Sequence, residues 1–233
     1  MNDAVIFESQ KEIIEYAIKN CRQQGDYLEF GVATGRSINT IASFTPNGTK
    51  VYGFDTFEGL PEDWAGHNAV SGTFKQARLP KVLNNVVLIK GLFENTLPSF
   101  REQMLDNISF CHIDCDLYSS TKTILDTVGD KLTAGSYVLF DEYFNYPAWR
   151  QHEWKAWQEF CESNKVKYRY AGFTANGGTV LVEVVLRLGN ILRVLNVSVR
   201  YWVTCCCFAR VVLFRWAFLA GHDLFELGKQ HFR

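Results

Sequence analysis

The chain has 233 residues, 47% of them hydrophobic and 21% charged, which is enough apolar material for one α/β domain with an appendage. Its formal net charge of −1 gives no electrostatic ground for a nucleic-acid partner. The seven cysteines are odd in number and irregularly spaced, and no cationic start with an apolar run opens the chain, so the thiols are expected to be reduced and the protein cytoplasmic.

Taken in chain order, two kinds of segment alternate. Ile13, Ile14, Ala17 and Ile18 recur at helical spacing and predict a helix over residues 8–24. Short β-rich apolar runs follow at 27–30, 51–54, 86–89, 108–113 and 137–140, of the length expected for strands buried on both faces. Between the last two, Ser119 and Ser120 open a helical pattern over 119–132 with Ile124, Leu125 and Val128 on one face. A further helix is predicted over 154–164, with Trp154, Trp157, Phe160 and Cys161 as its apolar stripe. The runs 166–173 and 179–185 have no room for a helix between them. With Asn176-Gly177-Gly178 at the turn they read as an antiparallel hairpin. The fold class is therefore α/β: a doubly wound, mostly parallel, seven-stranded sheet closed by a hairpin.

Four strand ends carry candidate chemistry. After the first sheet strand comes LEFGVATGRS, in which Glu29, Gly31, Gly35 and Ser37 stand at a strand-to-helix junction. Glycine there lets the backbone approach a ligand, and the helix start offers free N–H groups. A dinucleotide fingerprint would need a glycine at Ala33 and a third glycine beyond, which weighs against a nucleotide-cofactor oxidoreductase. Asp55, followed by Thr56, ends the second strand, where an acid can accept ribose hydroxyls. Asp114 and Asp116 follow the fourth strand, and Asp141 and Glu142 the fifth. Acids gathered at the carboxyl ends of a parallel sheet face one crevice and repel each other unless a cation lies among them, and oxygen donors suit Mg²⁺ or Ca²⁺. His152, some ten residues on, is a candidate general base, with a solvated helix-start histidine as the competing reading. Cys111 and Cys115 read as core thiols.

Together the segments LEFGVATGRS, VYGFDTFEGLPEDW, LIKGLFENTLP, FCHIDCDLYSST and VLFDEYFNYPAW resemble the macrocin and mycinamicin-type O-methyltransferases, a family of class I S-adenosylmethionine-dependent enzymes, over about residues 26–185. The resemblance implies that Glu29, Gly31, Gly35 and Ser37 serve the methionine end of the cofactor and Asp55 and Thr56 the ribose. It places Gly91 and Phe93 near the adenine, and Asp114, Asp141 and Glu142 around Mg²⁺, with Asp116 close by. Asp114 would serve cofactor and catalysis as well. The family more often has two aspartates where this chain has Asp141-Glu142. The implied reaction is methyl transfer to a hydroxyl of a small molecule, a sugar or other diol of a natural product. A cofactor-binding protein without turnover is the remaining alternative. Gly31→Val is expected to remove cofactor binding while leaving the fold.

The end of the chain differs in kind. Residues 1–185 carry 17 Lys and Arg against 23 Asp and Glu, whereas residues 186–233 carry 7 against 2, together with Cys205, Cys206 and Cys207. Arg200, Arg210 and Arg215 interrupt every candidate membrane span, which leaves a basic amphipathic helix on a membrane surface or partner, a helix packed on the domain, or a segment without function. The domain is expected to end at Val185 and to fold without this tail, and a homo-oligomer is left open.

Overall fold

The computed structural model describes residues 4–22 and 24–187. In chain order the elements are β1 (Val5–Phe7), α1 (Gln10–Asn20), β2 (Asp26–Phe30), α2 (Arg36–Phe44), β3 (Val51–Asp55), β4 (Val86–Lys90) and α3 (Phe93–Arg101). They continue with β5 (Ile108–Ile113), α4 (Tyr118–Val128), β6 (Tyr137–Phe140), α5 (Glu153–Asn164), β7 (Val166–Thr174) and β8 (Val180–Arg187). The strands form one sheet in the order β1-β7-β8-β6-β5-β2-β3-β4. Pairing is parallel except around β8, which lies antiparallel between β6 and β7. This is the predicted α/β sheet with its closing hairpin, and it has one strand more than the seven expected. The addition is β1, three residues set parallel to β7 at the sheet edge, too short to leave a period in the sequence.

Side-chain alternation along the central strands sends residues to two cores. Tyr27, Phe110, Tyr137 and Leu139 join Ile13 and Ile14 of α1 and Ile38 and Ile41 of α2 on one face. Leu28, Phe30, Cys111, Ile113, Val138 and Phe140 join α3, α4 and α5 on the other. All five residues of β2 and all six of β5 are buried, the polar Asp26, Glu29, Ser109 and His112 among them. Helix α1 starts at Ser9, whose hydroxyl accepts the Glu12 N–H at 3.3 Å. Helix α2 starts at Gly35, whose left-handed φ of +81° turns the chain out of β2. Strand β8 runs to Arg187, where it still pairs with Val166, so the expected boundary at Val185 cuts two residues into the strand. The basic segment that follows, with its three cysteines and the amphipathic-helix expectation, lies outside the described residues. Among the described residues no helix is long and apolar enough to cross a membrane.

The sheet reverses its winding between β2 and β5. From β2 the chain moves outward to β3 and β4, then returns to place β5 on the other side of β2. Here Gly31, at φ +92°, passes so close to β5 that a Cβ would stand 1.7 Å from the carbonyl oxygen of Asp114. The Gly31 N–H bonds Phe54 O at 2.9 Å, and the Asp114 N–H bonds Phe30 O at 2.9 Å, so the same crossing also carries hydrogen bonds among three strands. Gly31 is thus needed by the fold as well as by any ligand, and Gly31→Val cannot leave the fold untouched. Gly72 supplies the control, with φ +83° and nothing within 4 Å of an added Cβ. Both alanine variants carry the positive-φ cost, but Gly31→Ala should lose at least about 2 kcal/mol more in urea unfolding than Gly72→Ala. Equal losses would mean that the β2–β5 crossing relaxes without cost.

Candidate active site

The carboxyl ends of β2, β3, β5 and β6 open onto a cavity of ≈580 Å³. Gly31, Ala33, Asp55, Thr56, Phe93, Asp114, Asp116, Asp141 and Glu142 all line it. Most of the strand-end residues singled out in the sequence therefore share one space, at the switch point where open α/β sheets hold their ligands. Phe93 packs edge-on against Phe30, with ring centroids 5.5 Å apart. Gly91 bonds back to Asp55 O at 3.0 Å and lies just behind this wall.

Asp55 has a structural task that the sequence did not reveal. Its Oδ2 accepts the N–H groups of Val32 at 2.9 Å and Ala33 at 2.8 Å, and its Oδ1 accepts the Phe57 N–H at 2.6 Å. A carboxylate offers about four acceptor positions, so room remains for about one more donor. Asp55 thus clamps the glycine turn to the end of β3.

Glu29, Gly35 and Ser37 do not line the cavity, and Gly35 instead packs against Pro80. Glu29 is fully buried, with Oε1 2.8 Å from Nδ1 of His112; burial raises its carboxyl above the usual range, and the hydrogen bond and charge of His112 and then Ser37 pull the other way. Burial pulls His112 toward its neutral form, but the hydrogen bond and charge of Glu29, with Asp114 and Asp141 behind, hold it protonated, up to about 9.

The acids around the cavity crowd one another. Burial and then the charge of Asp141 push Asp114 well above the usual carboxylate range. Burial and then Glu142, Asp141 and Asp55 raise Asp116 to about 7, and burial and then Asp141 raise Glu142 to about 7. Asp141 is steadied from two sides: its Oδ1 accepts Nε2–H of Gln10 at 2.7 Å and the Thr179 hydroxyl at 3.1 Å. Glu153, buried in the first turn of α5, accepts the Glu142 N–H at 3.1 Å. The oxygen donors suit a hard cation in kind. As the side chains stand, no group of three His, Cys, Asp or Glu converges as a metal site among the described residues.

His152 is neither solvated nor on the cavity wall. Its ring is buried, Nε2–H donates to Ala65 O at 2.8 Å, and it contacts the rings of Trp64 and Tyr146. This geometry gives it a role in pinning the β3–β4 connection and no route to a substrate proton. The imidazole that does line the cavity is His67, stacked on Trp64 with centroids 4.2 Å apart. Both rings come from residues 56–85, a connection without a helix that folds back on itself. Leu60 and Thr73 bond there at 2.9 Å, Trp64 and Ala69 at 2.9 Å, and Ser71 N–H and Asp63 at 2.8 Å. Leu60, Trp64, Ala69 and Leu117 form a small core that seats the connection at the start of α4. The absence of a helical period across 56–85 was the available signal for this wall.

Residues 28–143, which span these strand ends, match the family described as "Methyltransferase domain". The chain is 26% identical over 164 residues to demethyldecarbamoylnovobiocin O-methyltransferase of Streptomyces niveus, covering 60% of each chain. It is 28% identical over 141 residues to 8-demethyl-8-(2,3-dimethoxy-alpha-L-rhamnosyl)-tetracenomycin-C 4'-O-methyltransferase of Streptomyces olivaceus, covering 51% of this chain and 53% of the relative. The chain thus spans about half to three-fifths of the curated relatives it matches. Among solved structures, the calicheamicin methyltransferase CalS11 shares the fold, with a TM-score of 0.59 at 24% identity over 74% of this chain and 76% of that one.

The raised acids make a pH prediction. A carboxyl that holds its proton more tightly when folded stabilises the fold below its unfolded pKa, and that stability is lost as pH rises through the folded pKa. For Asp116 and Glu142 the window runs from their ordinary values of 3.8 and 4.5 to about 7. The ligand-free protein should therefore melt at lower temperature at pH 8 than at pH 5. Asp116→Asn, which tolerates the φ of +63°, should flatten the slope and raise stability at pH 8 by about 2–4 kcal/mol. A calorimetric pH series in which wild type and variant run parallel would contradict this.

Proposed function

We propose that the protein transfers the methyl group of S-adenosylmethionine to a hydroxyl of a small molecule, a sugar or other diol of a natural product, with the help of a divalent cation such as Mg²⁺. The observation that carries this reading is the cavity at the carboxyl ends of β2, β3, β5 and β6, with a glycine turn on one side and acids on the other, inside the stretch of methyltransferase family. The named activities of the two Streptomyces relatives, both O-methyltransferases, support the choice of a hydroxyl, and one of them names a rhamnosyl group. Within the family we place the chain with the macrocin and mycinamicin type.

In this reading Gly31 and Gly35 let the cofactor's methionine end approach the backbone, while Glu29 and Ser37 hold the turn from beneath. Asp55 and Thr56 meet the ribose, and Phe93 meets the adenine with Gly91 behind it. Asp114, Asp141 and Glu142 would hold the cation, with Asp141 oriented by Gln10 and Thr179. A bound divalent cation supplies positive charge that eases loss of the hydroxyl proton. The acceptor oxygen attacks the methyl carbon opposite the sulfur, so the O–C bond forms as the S–C bond breaks and the thioether leaves neutral. In this reading Asp114 takes the hydroxyl proton. Holding the two reactants in line contributes on the order of several kcal/mol to the rate. The free thiols of Cys21, Cys111, Cys115 and Cys161 fit a cytoplasmic compartment. The domain is taken to end with β8 at Arg187, and the residues after it are taken to be unnecessary for cofactor binding.

Turnover of a diol panel, read as a methyl mass increment, should require added Mg²⁺ and vanish in chelator. Asp141→Asn should weaken Mg²⁺ binding, measured by calorimetry, at least tenfold while changing S-adenosylmethionine affinity much less. Full activity in chelator would refute the metal assignment, and loss of cofactor affinity equal to that for Mg²⁺ would place Asp141 elsewhere in the reaction.

A further inference from the structure

The two side chains that hold Asp141 bond the same oxygen. Oδ1 accepts Nε2–H of Gln10 at 2.7 Å and the hydroxyl of Thr179 at 3.1 Å, while Oδ2 has no hydrogen-bond partner among the described residues. A carboxylate oxygen carries about two acceptor positions, so Oδ1 is filled. Oδ2 is the oxygen left for a ligand in the cavity that Asp141 lines.

Both donors arrive from the hairpin side of the sheet. Strand β1 runs parallel to β7, and Phe7 O accepts the Ala175 N–H at 2.9 Å, so the chain leaves β1 beside the β7–β8 turn. Helix α1 then begins at Gln10 itself. Thr179 is buried just before β8, whose first residue, Val180, pairs with Phe140, the neighbour of Asp141. The edge strand β1 and the closing hairpin thus bring two donors, 131 and 38 residues distant in sequence, to one atom. Both donors lie outside residues 28–143, the stretch that matches the methyltransferase family.

A filled Oδ1 means different things to different cations. Mg²⁺ demands near-octahedral geometry, which a single oxygen from each carboxylate suits. Ca²⁺ is larger, takes more oxygens and accepts both oxygens of one carboxylate. Resting on the divalent-cation reading above, we propose that Gln10 and Thr179 make Asp141 a one-oxygen ligand and so bias the site toward Mg²⁺ and against Ca²⁺. Gln10 and Thr179 are positioning residues here, since they act on the cation only through Asp141.

The test titrates the full chain calorimetrically with MgCl₂ and, separately, with CaCl₂. Gln10→Met keeps the length of its side chain and Thr179→Val keeps its shape, and each frees an acceptor position on Oδ1. In either variant the ratio of Ca²⁺ affinity to Mg²⁺ affinity should rise at least about fivefold over wild type, and the double variant should raise it further. Thr179→Ser, which retains the hydroxyl, should leave the ratio at its wild-type value. A merely structural role would weaken both cations alike and leave the ratio unmoved. A smaller rise or a fall in either single variant, or the same rise in Thr179→Ser, would overturn the proposal while the cation reading stands. A wild-type chain that binds neither cation would refute the cation reading itself, and this proposal with it.

Discussion

The close crossing of β2 and β5 is the constraint on which the rest of the structure depends. A side chain at residue 31 would need the volume already held by the Asp114 carbonyl, at 1.7 Å from a Cβ. Only a glycine lets the two central strands end side by side with their turns facing the same way. Once they do, the glycine turn and the Asp114–Asp116 segment share a wall, and β3 and β6 add Asp55 and Asp141 on either side. The tightness that builds the sheet is also what gathers the chemistry.

That gathering has an electrostatic cost, and the protein offsets it unevenly. Asp55 is stabilised by three backbone N–H groups and Asp141 by Gln10 and Thr179, while burial raises Glu29 despite its hydrogen bond with His112. Asp114, Asp116 and Glu142 are left to repel one another and rise above their usual range. Carboxylates destabilised in the empty protein gain most when cations arrive, so binding and charge relief are linked. The wall from residues 56–85 works differently. It brings aromatic surface, Trp64 and His67 above all, and it is held by its own hydrogen bonds and a four-residue core.

Much of this was legible in the sequence because buried parallel strands are apolar runs of fixed length, and a strand's last residue is easily found. Four strand ends bring Gly31, Asp55, Asp114, Asp141 and Glu142 to one crevice, as their positions in the sequence implied. Strand β1 was missed because three residues at an edge carry no period. The stop at Val185 fell short because strand propensity fades gradually into the apolar residues that follow, while the pairing with β7 persists to Arg187. His152 was misjudged because a polar residue before a helix looks solvated until its neighbours are known, and those neighbours are Trp64, Ala65 and Tyr146. The fastening of Asp55 to Val32 and Ala33, and the reach of Gln10 to Asp141, join residues 22 or more apart in sequence, and no local pattern announces such bonds.

The reading rests on the cavity at these strand ends holding S-adenosylmethionine. A crystal structure of the protein with S-adenosylhomocysteine measures this most directly. Adenine density is expected against Phe93, ribose at Asp55 and Thr56, and the homocysteine part along the turn from Gly31 to Gly35, with the sulfur toward Asp114. Nucleoside density at any other surface, or an empty cavity in crystals grown at saturating ligand, would contradict it.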